Sequence, residues 1–323
     1  MKKYIYFITL LFVQTGFAQQ QGSLTNFLVN PQYYSSAYVG STNYHEVNFM
    51  HRSQWVGFNN APKNSYVNFH GSYKNKAKHG YGLSFMNEAT GLLTKTGIYL
   101  NYGYQMKLNS KWKLGLGVRP GLAQYRIRFY DAVIADAGDQ VLSGNSFAGS
   151  AFDVASGFRL YSSKIELAAN FDHFLGKGIT FTSYNQNLRN HFSVYASYIW
   201  NNKKNLEIKP TVLIKYTKPV PVQTSVLVQA TYKKIYSVGL SFRTDDAIGL
   251  FFGYRFKERL YVTYGYDYSY TDIRKYNAGS HEFGISYILT KKRPSLEEED
   301  DKLNNSILEE INKNIELQKE EQK

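Results

Sequence analysis

Seven histidines and a few short acidic or serine-containing motifs are the residues of this sequence with the potential to do chemistry. None of the histidines forms an H-E-x-x-H motif or another closely spaced pair of metal ligands. The nearest match to the G-x-S-x-G elbow of hydrolases runs from Gly144 to Ala148 and lacks the final glycine. Asp131, Asp136 and Asp139 do not have EF-hand spacing, so we expect solvated carboxylates rather than a calcium site. The sequence therefore predicts neither an enzyme nor a metal or other cofactor.

Charged side chains recur on what we interpret as the polar faces of β-strands. The basic ones are Lys113, Arg119, Arg159, Lys209, Lys215 and Arg255, and the acidic ones are Asp153, Glu166, Glu207 and Asp267. Two interpretations fit this pattern. In the first, the barrel is an open pore and its basic side chains select anions. In the second, the lumen is closed and the basic and acidic side chains form ion pairs across it.

The beginning of the chain has the features of a secretory signal in residues 1–18. These are the basic Lys2 and Lys3, an apolar stretch over residues 4–13, and the small residues Gly16 and Ala18. No segment reaches the roughly 20 consecutive apolar residues of a transmembrane helix. The cysteine count of 0 excludes disulfides, thiolate metal sites, cysteine nucleophiles and lipid attachment to an N-terminal cysteine. We therefore expect an exported protein that is not inserted through helices.

Alternation of apolar and polar residues at period two dominates residues 44–290 and predicts strands with one apolar and one polar face. For example, Ile98, Leu100 and Tyr102 alternate with Tyr99 and Asn101. The pattern predicts about fourteen strands, at 44–52, 64–73, 79–87, 95–108, 111–128, 150–161, 164–173, 188–200, 206–217, 222–232, 234–243, 247–257, 259–270 and 280–290. An even number of strands is typical of single-chain bacterial outer-membrane barrels.

The lengths of the predicted connections support a membrane barrel. The joints after even-numbered strands are short, whereas the longest connections, 129–149 and 174–187, follow odd-numbered strands. This parity predicts periplasmic turns opposite outer loops, with both chain ends periplasmic. A soluble β-sandwich or lipocalin-like barrel is the alternative, but fourteen strands exceed what a small soluble barrel uses. Aromatic residues at the ends of the apolar faces are typical of interfacial girdles; they are Trp200, Tyr216, Tyr254 and Tyr270.

The net charge of +13 is compatible with several anionic partners. Export argues against nucleic acid. Outer-membrane lipid, lipopolysaccharide and acidic proteins are the partners that we expect.

Two segments flank the predicted barrel. Residues 19–43 contain Asn26 to Pro31 and then Tyr33, Tyr34 and Tyr38, and they either fold into the lumen as a plug or lie beneath the barrel. Residues 291–323 form an acidic tail in which Ser295 and Glu298 make an S-x-x-E capping box, which predicts a periplasmic α-helix. Its apolar stripe consists of Leu303, Ile307, Ile311 and Ile315. The stripe predicts a docking helix for a periplasmic partner, and the alternative is a solvated, frayed helix.

Several motifs occur in the N-terminal third. Residues 52–58 read R-S-Q-W-V-G-F and are followed by Ala61 and Pro62. Asn30-Pro31 precedes the A-Y-V-G-S of residues 37–41, and Gly80-Tyr81-Gly82, Gly91 and Tyr102-Gly103-Tyr104 lie further on. These motifs resemble the PorP/SprF family of Bacteroidetes outer-membrane proteins, with residues 52–62 the most specific match and the last three the weaker ones. Ser35-Ser36 stands where the family usually has Asn-Pro.

The resemblance implies a non-enzymatic component of type IX secretion and gliding. Such a barrel would anchor or assemble secreted, adhesin-like surface proteins and secretion-system partners. The candidate partner-binding residues are Arg52, Gln54, Trp55 and Phe58 in the signature and the apolar stripe in the tail. A structural role for the signature is the alternative, with Arg52 held by a lumen carboxylate and Trp55 and Phe58 packed at the rim. The alternative function is a channel for small or hydrophobic solutes.

Overall fold

The chain folds into a closed antiparallel β-barrel. The computed structural model describes residues 22–73, 78–128, 147–174, 178–180, 185, 186, 188–201 and 205–290. Each strand pairs with its neighbour in the sequence, and the first strand pairs with the last, from Glu46 opposite Ile288 to Ser53 opposite His281. The described strands therefore close into a barrel, without the two edge strands of an open sheet.

Fourteen strands form the wall. The first seven are β1 (Glu46–Ser53), β2 (Lys63–Ser72), β3 (His79–Thr90), β4 (Leu93–Lys107), β5 (Lys113–Ile127), β6 (Phe147–Tyr161) and β7 (Ile165–Asp172). The others are β8 (His191–Tyr198), β9 (Leu206–Thr217), β10 (Val220–Tyr232), β11 (Tyr236–Arg243), β12 (Ala247–Phe256), β13 (Leu260–Ser269) and β14 (Ser280–Ile288). The strand number predicted from alternation is confirmed, and no strand end differs from its predicted position by more than three residues.

Short strands extend the wall at two places. Ile179–Thr180 pairs with β6 and with Asn185–Gln186, inside the connection between β7 and β8. Trp200–Asn201 continues β8 along β9. We refer to the barrel end that carries the long connections as the loop end and to the opposite end as the turn end. The wall itself starts and finishes at the turn end, because Glu46 and Ile288 are paired there.

The apolar face of the sheet points outward. In β3, Tyr81, Leu83 and Phe85 are exposed, whereas the intervening Gly82 and Ser84 are buried. At mid-height, Leu100 is 64% exposed and its neighbour Asn101 only 3%. This polarity is the one that lipid selects, and it excludes the soluble barrel considered above. The girdle aromatics are exposed at strand ends: Trp200, Tyr216, Tyr254 and Tyr270.

Helical structure is sparse in the described chain. It comprises the single turn Pro31–Tyr34 and the 3₁₀ turns Ser36–Tyr38 and Asp272–Tyr276. Within the described ranges no helix has the length and apolarity to cross a membrane. The signal sequence, the loop aspartates and the predicted tail helix lie outside the described residues, so those expectations stay predictions.

Candidate functional site in the barrel lumen

Residues 22–45, which we call the lumen segment, run through the barrel from the loop end to the turn end. Near the loop end, Ser23 Oγ donates to Gln223 Oε1 (2.8 Å) and accepts from Lys215 Nζ (2.5 Å). At the turn end, the backbone N–H of His45 donates to Thr290 Oγ1 (2.9 Å), and the chain enters β1. The described part of the 19–43 segment therefore lies inside the barrel. Gly22 and Thr290 are at opposite ends of it.

Apolar side chains of the lumen segment form the core of the barrel interior. Leu24, Phe27 and Tyr34 pack among inward-facing residues such as Tyr195 and Phe251. Phe27 meets Tyr34 and Tyr195 edge-on, with ring centroids 5.8 and 6.3 Å apart. The segment consequently fills space that the small inward side chains of the wall leave open.

An ionic cluster joins the lumen segment to the wall near the loop end. Arg52 donates through Nη2 to Asp267 Oδ2 (2.6 Å) and through Nη1 to Thr25 Oγ1 (2.7 Å). Arg243 donates to the same Asp267 oxygen at 2.6 Å. Glu282 accepts the backbone N–H groups of Thr25 (2.7 Å) and its neighbour Asn26 (2.9 Å). The buried charges are therefore both paired and hydrogen-bonded, which is the condition under which burial is tolerated.

A second cluster holds the middle of the lumen segment. Arg119 pairs with Asp172 (2.5 Å) and donates to the carbonyl oxygens of Gln32 and Tyr33, both at 3.3 Å. Tyr33 also donates to Glu88 Oε1 (3.1 Å), which ties the same turn to β3. The two bonds from Arg119 satisfy carbonyls of the helical turn Pro31–Tyr34.

A third cluster lies nearer the turn end. Arg159 donates through Nε to Glu166 Oε1 (2.7 Å), and Lys209 reaches the other oxygen of Glu166 at 3.4 Å. The Arg159 guanidinium lies between two aromatic rings, 3.9 Å from the centroid of Tyr38 and 3.8 Å from that of Tyr161. Cation–π contacts of this kind are strongest where water is excluded.

Four glycines form a continuous row on the inner face of the wall. Gly80 is paired with Gly103, Gly103 with Gly117, and Gly117 with Gly157, on β3 to β6 respectively. The next residue across the sheet is Asn170, whose Oδ1 accepts the backbone N–H of Ser36 at 3.3 Å. The row is a shallow groove, because no side chain projects from it.

Residues 36–40 of the lumen segment occupy this groove in backbone-to-backbone contact. A Cβ atom added to Gly103 would lie 2.1 Å from Val39 O, and one added to Gly117 would lie 2.2 Å from Ser36 C. At Gly80 the clash would be with the Cα of Gly40, at 2.2 Å. Gly40 itself has a φ of +83°, which favours glycine. The family elements around residues 37–41, 80–82 and 102–104, separated in sequence, are therefore in contact.

A cavity of about 240 Å³ opens at the turn end beside the last residues of the lumen segment. Its lining includes Thr42, Tyr44, Lys107, Lys113 and Tyr161. Burial and the nearby carboxylate of Glu46 raise the pKa of Tyr44 to about 12. Within the described chain, no group of three His, Asp or Glu residues is placed to hold a metal ion.

Several of the predicted lumen charges form ion pairs, as the pairing interpretation predicts. Arg119 and Arg159 are ion-paired, Lys209 shares Glu166, and Arg255 lies over the ring of Tyr261 at 4.5 Å. Asp153 Oδ2 lies 2.7 Å from Nδ1 of His173. Chemically, this arrangement seats a polypeptide segment and neutralises its surroundings.

The signature residues separate into an inner and an outer group. Arg52 is fully buried and contacts Asp267 and Glu282. These contacts support the structural role, in which a lumen carboxylate holds Arg52. Trp55 is partly buried, with a φ of +49°, and Phe58 is 48% exposed. Their loop is joined to the β13–β14 connection, because Val56 and Gly279 share a backbone hydrogen bond of 2.8 Å. Partner binding by Arg52, Gln54, Trp55 and Phe58 stays a prediction, and the tail stripe lies outside the described residues.

Sequence reasoning missed the glycine row and the anchors of the lumen segment. The four glycines do occupy inward positions of their alternating strands. Their alignment depends on strand register, however, which residue type alone does not specify. Glu282 was also missed, since a lone carboxylate in a strand gives no sign that it accepts two backbone N–H groups.

An apolar exterior, a polar and packed interior, and complete closure define an outer-membrane β-barrel. The chain belongs to the PorP/SprF family of type IX secretion system membrane proteins, whose family model matches residues 16–287. The resemblance inferred from the motifs is thereby confirmed.

The solved structures that are similar to this chain include a hydrocarbon channel and a toluene transporter. The CymD monoaromatic hydrocarbon channel has a TM-score of 0.50 at 10% identity, with 82% of this chain and 93% of that chain covered. The toluene transporter TbuX of Ralstonia pickettii has a TM-score of 0.48 at 11% identity, with 79% and 92% covered. At such identities the similarity to CymD concerns the fold alone. Comparison with curated proteins finds no match.

Proposed function

We propose that this protein is a non-enzymatic, closed component of the type IX secretion system that anchors or assembles secreted, adhesin-like proteins at the outer membrane. The observation that carries the proposal is the filled lumen. Residues 22–45 occupy it from end to end and are held by three ionic clusters and a glycine groove. A barrel built in this way is suited to holding partners at its two ends rather than to passing solutes.

We place the turn end in the periplasm and the loop end outside. Short turns opposite longer connections support this orientation, as in other bacterial barrels. On this orientation the predicted tail helix is periplasmic, and the rim formed by Trp55 and Phe58 faces outward. Secretion-system components would then engage the tail, and a secreted substrate would engage the rim. Lipid and lipopolysaccharide would cover the apolar wall.

A channel for small or hydrophobic solutes is the second candidate. CymD is described as a monoaromatic hydrocarbon channel, and its fold is similar to that of this chain. The two functions make opposite predictions. An anchor needs its tail or rim and conducts poorly, whereas a channel conducts without partners.

The test is a pull-down of the tagged protein from native outer membranes in mild detergent. Whole protein is compared with a variant that lacks residues 294–323, and co-purifying chains are identified by mass spectrometry. We expect a secretion component or a secreted surface protein to be recovered with the whole chain and lost or weakened without the tail. A solitary barrel from both samples would refute the anchor.

A matched pair of variants localises the contact within the tail. Ile307→Gln with Ile311→Gln removes the apolar stripe but keeps the charge of the tail. Asn304→Gln with Asn312→Gln changes the same number of residues on the polar side and is the control. We expect partner recovery to fall only in the isoleucine variant. Equal recovery from both variants would exclude the stripe as the docking surface.

A further inference from the structure

The turn end of the barrel carries a strongly basic surface. Its exposed charged residues in the described ranges are Lys78, Lys107, Lys111, Lys164, Lys233, Lys234, Lys257, Arg259 and the single carboxylate Glu258. The loop end has exposed groups of both signs, such as Lys218 and Asp272. Among the described residues, exposed cations outnumber exposed carboxylates by seven at the turn end and by four at the loop end, so the turn end is the more strongly basic of the two.

Four of these cations lie on the two turns next to the point where the barrel chain ends. The backbone N–H of Ile288 donates to Arg259 O at 2.9 Å, so the chain leaves the wall beside the turn of Lys257 and Arg259. Lys233 and Lys234 occupy the turn two strands away, at a spacing of roughly 10 Å. In the described part of the chain, no carboxylate forms an ion pair with these four side chains.

We propose that this basic surface is a docking site for the acidic run of the chain's own tail, Glu297 to Asp301. These five consecutive carboxylates begin seven residues after Thr290. A stretch of that length spans up to about 3.3–3.6 Å per residue, so the run can reach both turns. The tether gives the run an effective concentration on the order of millimolar, well above that of a free competitor.

Docking has a structural consequence for the remainder of the tail. The apolar stripe from Leu303 to Ile315 follows the acidic run directly. When the run is bound, the stripe starts at the rim of the barrel at a fixed distance from the wall. The inference goes beyond the proposed anchoring function and does not require it, because it concerns a contact within one chain.

Spin-label distance measurements test the contact, and the cysteine count of 0 makes them specific. Labels are placed through Asp300→Cys in the tail and Ile235→Cys at the neighbouring turn, in nanodiscs of neutral phosphatidylcholine. We expect a short, narrow distance population at low salt that broadens and lengthens at 1 M salt, where the Debye length is about 3 Å. A distribution that does not depend on salt would overturn the proposal.

Charge variants provide the control. Replacing Lys233, Lys234, Lys257 and Arg259 by Gln removes the site, and we expect the short distances to disappear. Lys63→Gln with Lys218→Gln removes exposed cations at the loop end and is expected to leave the distribution unchanged. Equal effects of the two sets of variants would overturn the proposal. Loss of the short distances when anionic lipid is added would also overturn it, because lipid headgroups would then occupy the basic surface.

Discussion

Substitution of a single groove glycine should dislodge the lumen segment while leaving the wall intact. The Cβ of Gly103→Ala would lie 2.1 Å from Val39 O, about 0.9 Å short of the 3.0 Å that real Cβ contacts keep. The neighbouring atom is backbone, so residues 36–40 must move as a unit. Overpacking of this size costs about 1–3 kcal/mol. The strand itself gains about 0.5–1 kcal/mol from losing a glycine, so the expected damage falls on the segment.

Hydrogen–deuterium exchange of residues 35–41 measures this effect. We expect exchange to be about 5- to 150-fold faster in Gly103→Ala and Gly117→Ala, which corresponds to the same 1–3 kcal/mol. Exchange in β3 to β6 should not change. Gly265→Ala is the matched control, because its added Cβ would be no closer than 3.3 Å to any atom. Unchanged protection of residues 35–41 in both groove variants would refute the argument that the glycines seat the segment.

Three further predictions concern the ionic cluster, the lipid face and the turn end. Arg52→Ala leaves Glu282 and part of Asp267 without their buried cation, and we expect a loss of about 3–5 kcal/mol of unfolding free energy in denaturant titrations; a loss below about 1 kcal/mol would contradict the paired cluster. Leu100→Arg, at mid-height on the lipid face, should cost about 2–4 kcal/mol, whereas Leu108→Arg at the turn end should cost about 0–1 kcal/mol; equal costs in reversible refolding into vesicles would contradict the assigned membrane position. The raised pKa of Tyr44 means that the unfolded chain loses this proton first, so stability should fall by up to about 1.4 kcal/mol per unit between about pH 10 and 12; an identical pH profile for Tyr44→Phe would contradict this effect.

Most of the wall was predictable from sequence because lipid imposes a strict rule on each strand. Residues such as Leu100 and Asn101 must face opposite sides, and the period of two makes that choice visible residue by residue. Strand number and approximate strand ends followed directly. The alternative considered for Arg52, contact with a lumen carboxylate, agrees with its ion pairs to Asp267 and Glu282, and the alternation of β1 made its inward orientation visible.

The interior was harder to predict because its contacts join residues far apart in the chain. Thr25 and Asp267 are 242 residues apart, and no local pattern connects them. The lumen segment has no periodic signal either, because its helical turn spans only Pro31–Tyr34. Its position depends on the volume enclosed by the wall and on the register that aligns Gly103 with Gly117, which are both properties of the closed barrel.

Electrical recording in planar lipid bilayers measures whether the lumen segment closes this barrel. The whole chain is compared with a variant in which residues 23–38 are replaced by a Gly-Ser linker of equal length. Current through the variant would also show that the barrel inserts into the bilayer. We expect no steady conductance from the whole chain and steady, ohmic conductance from the variant. Steady conductance of equal size from both proteins would contradict this expectation and would favour the channel.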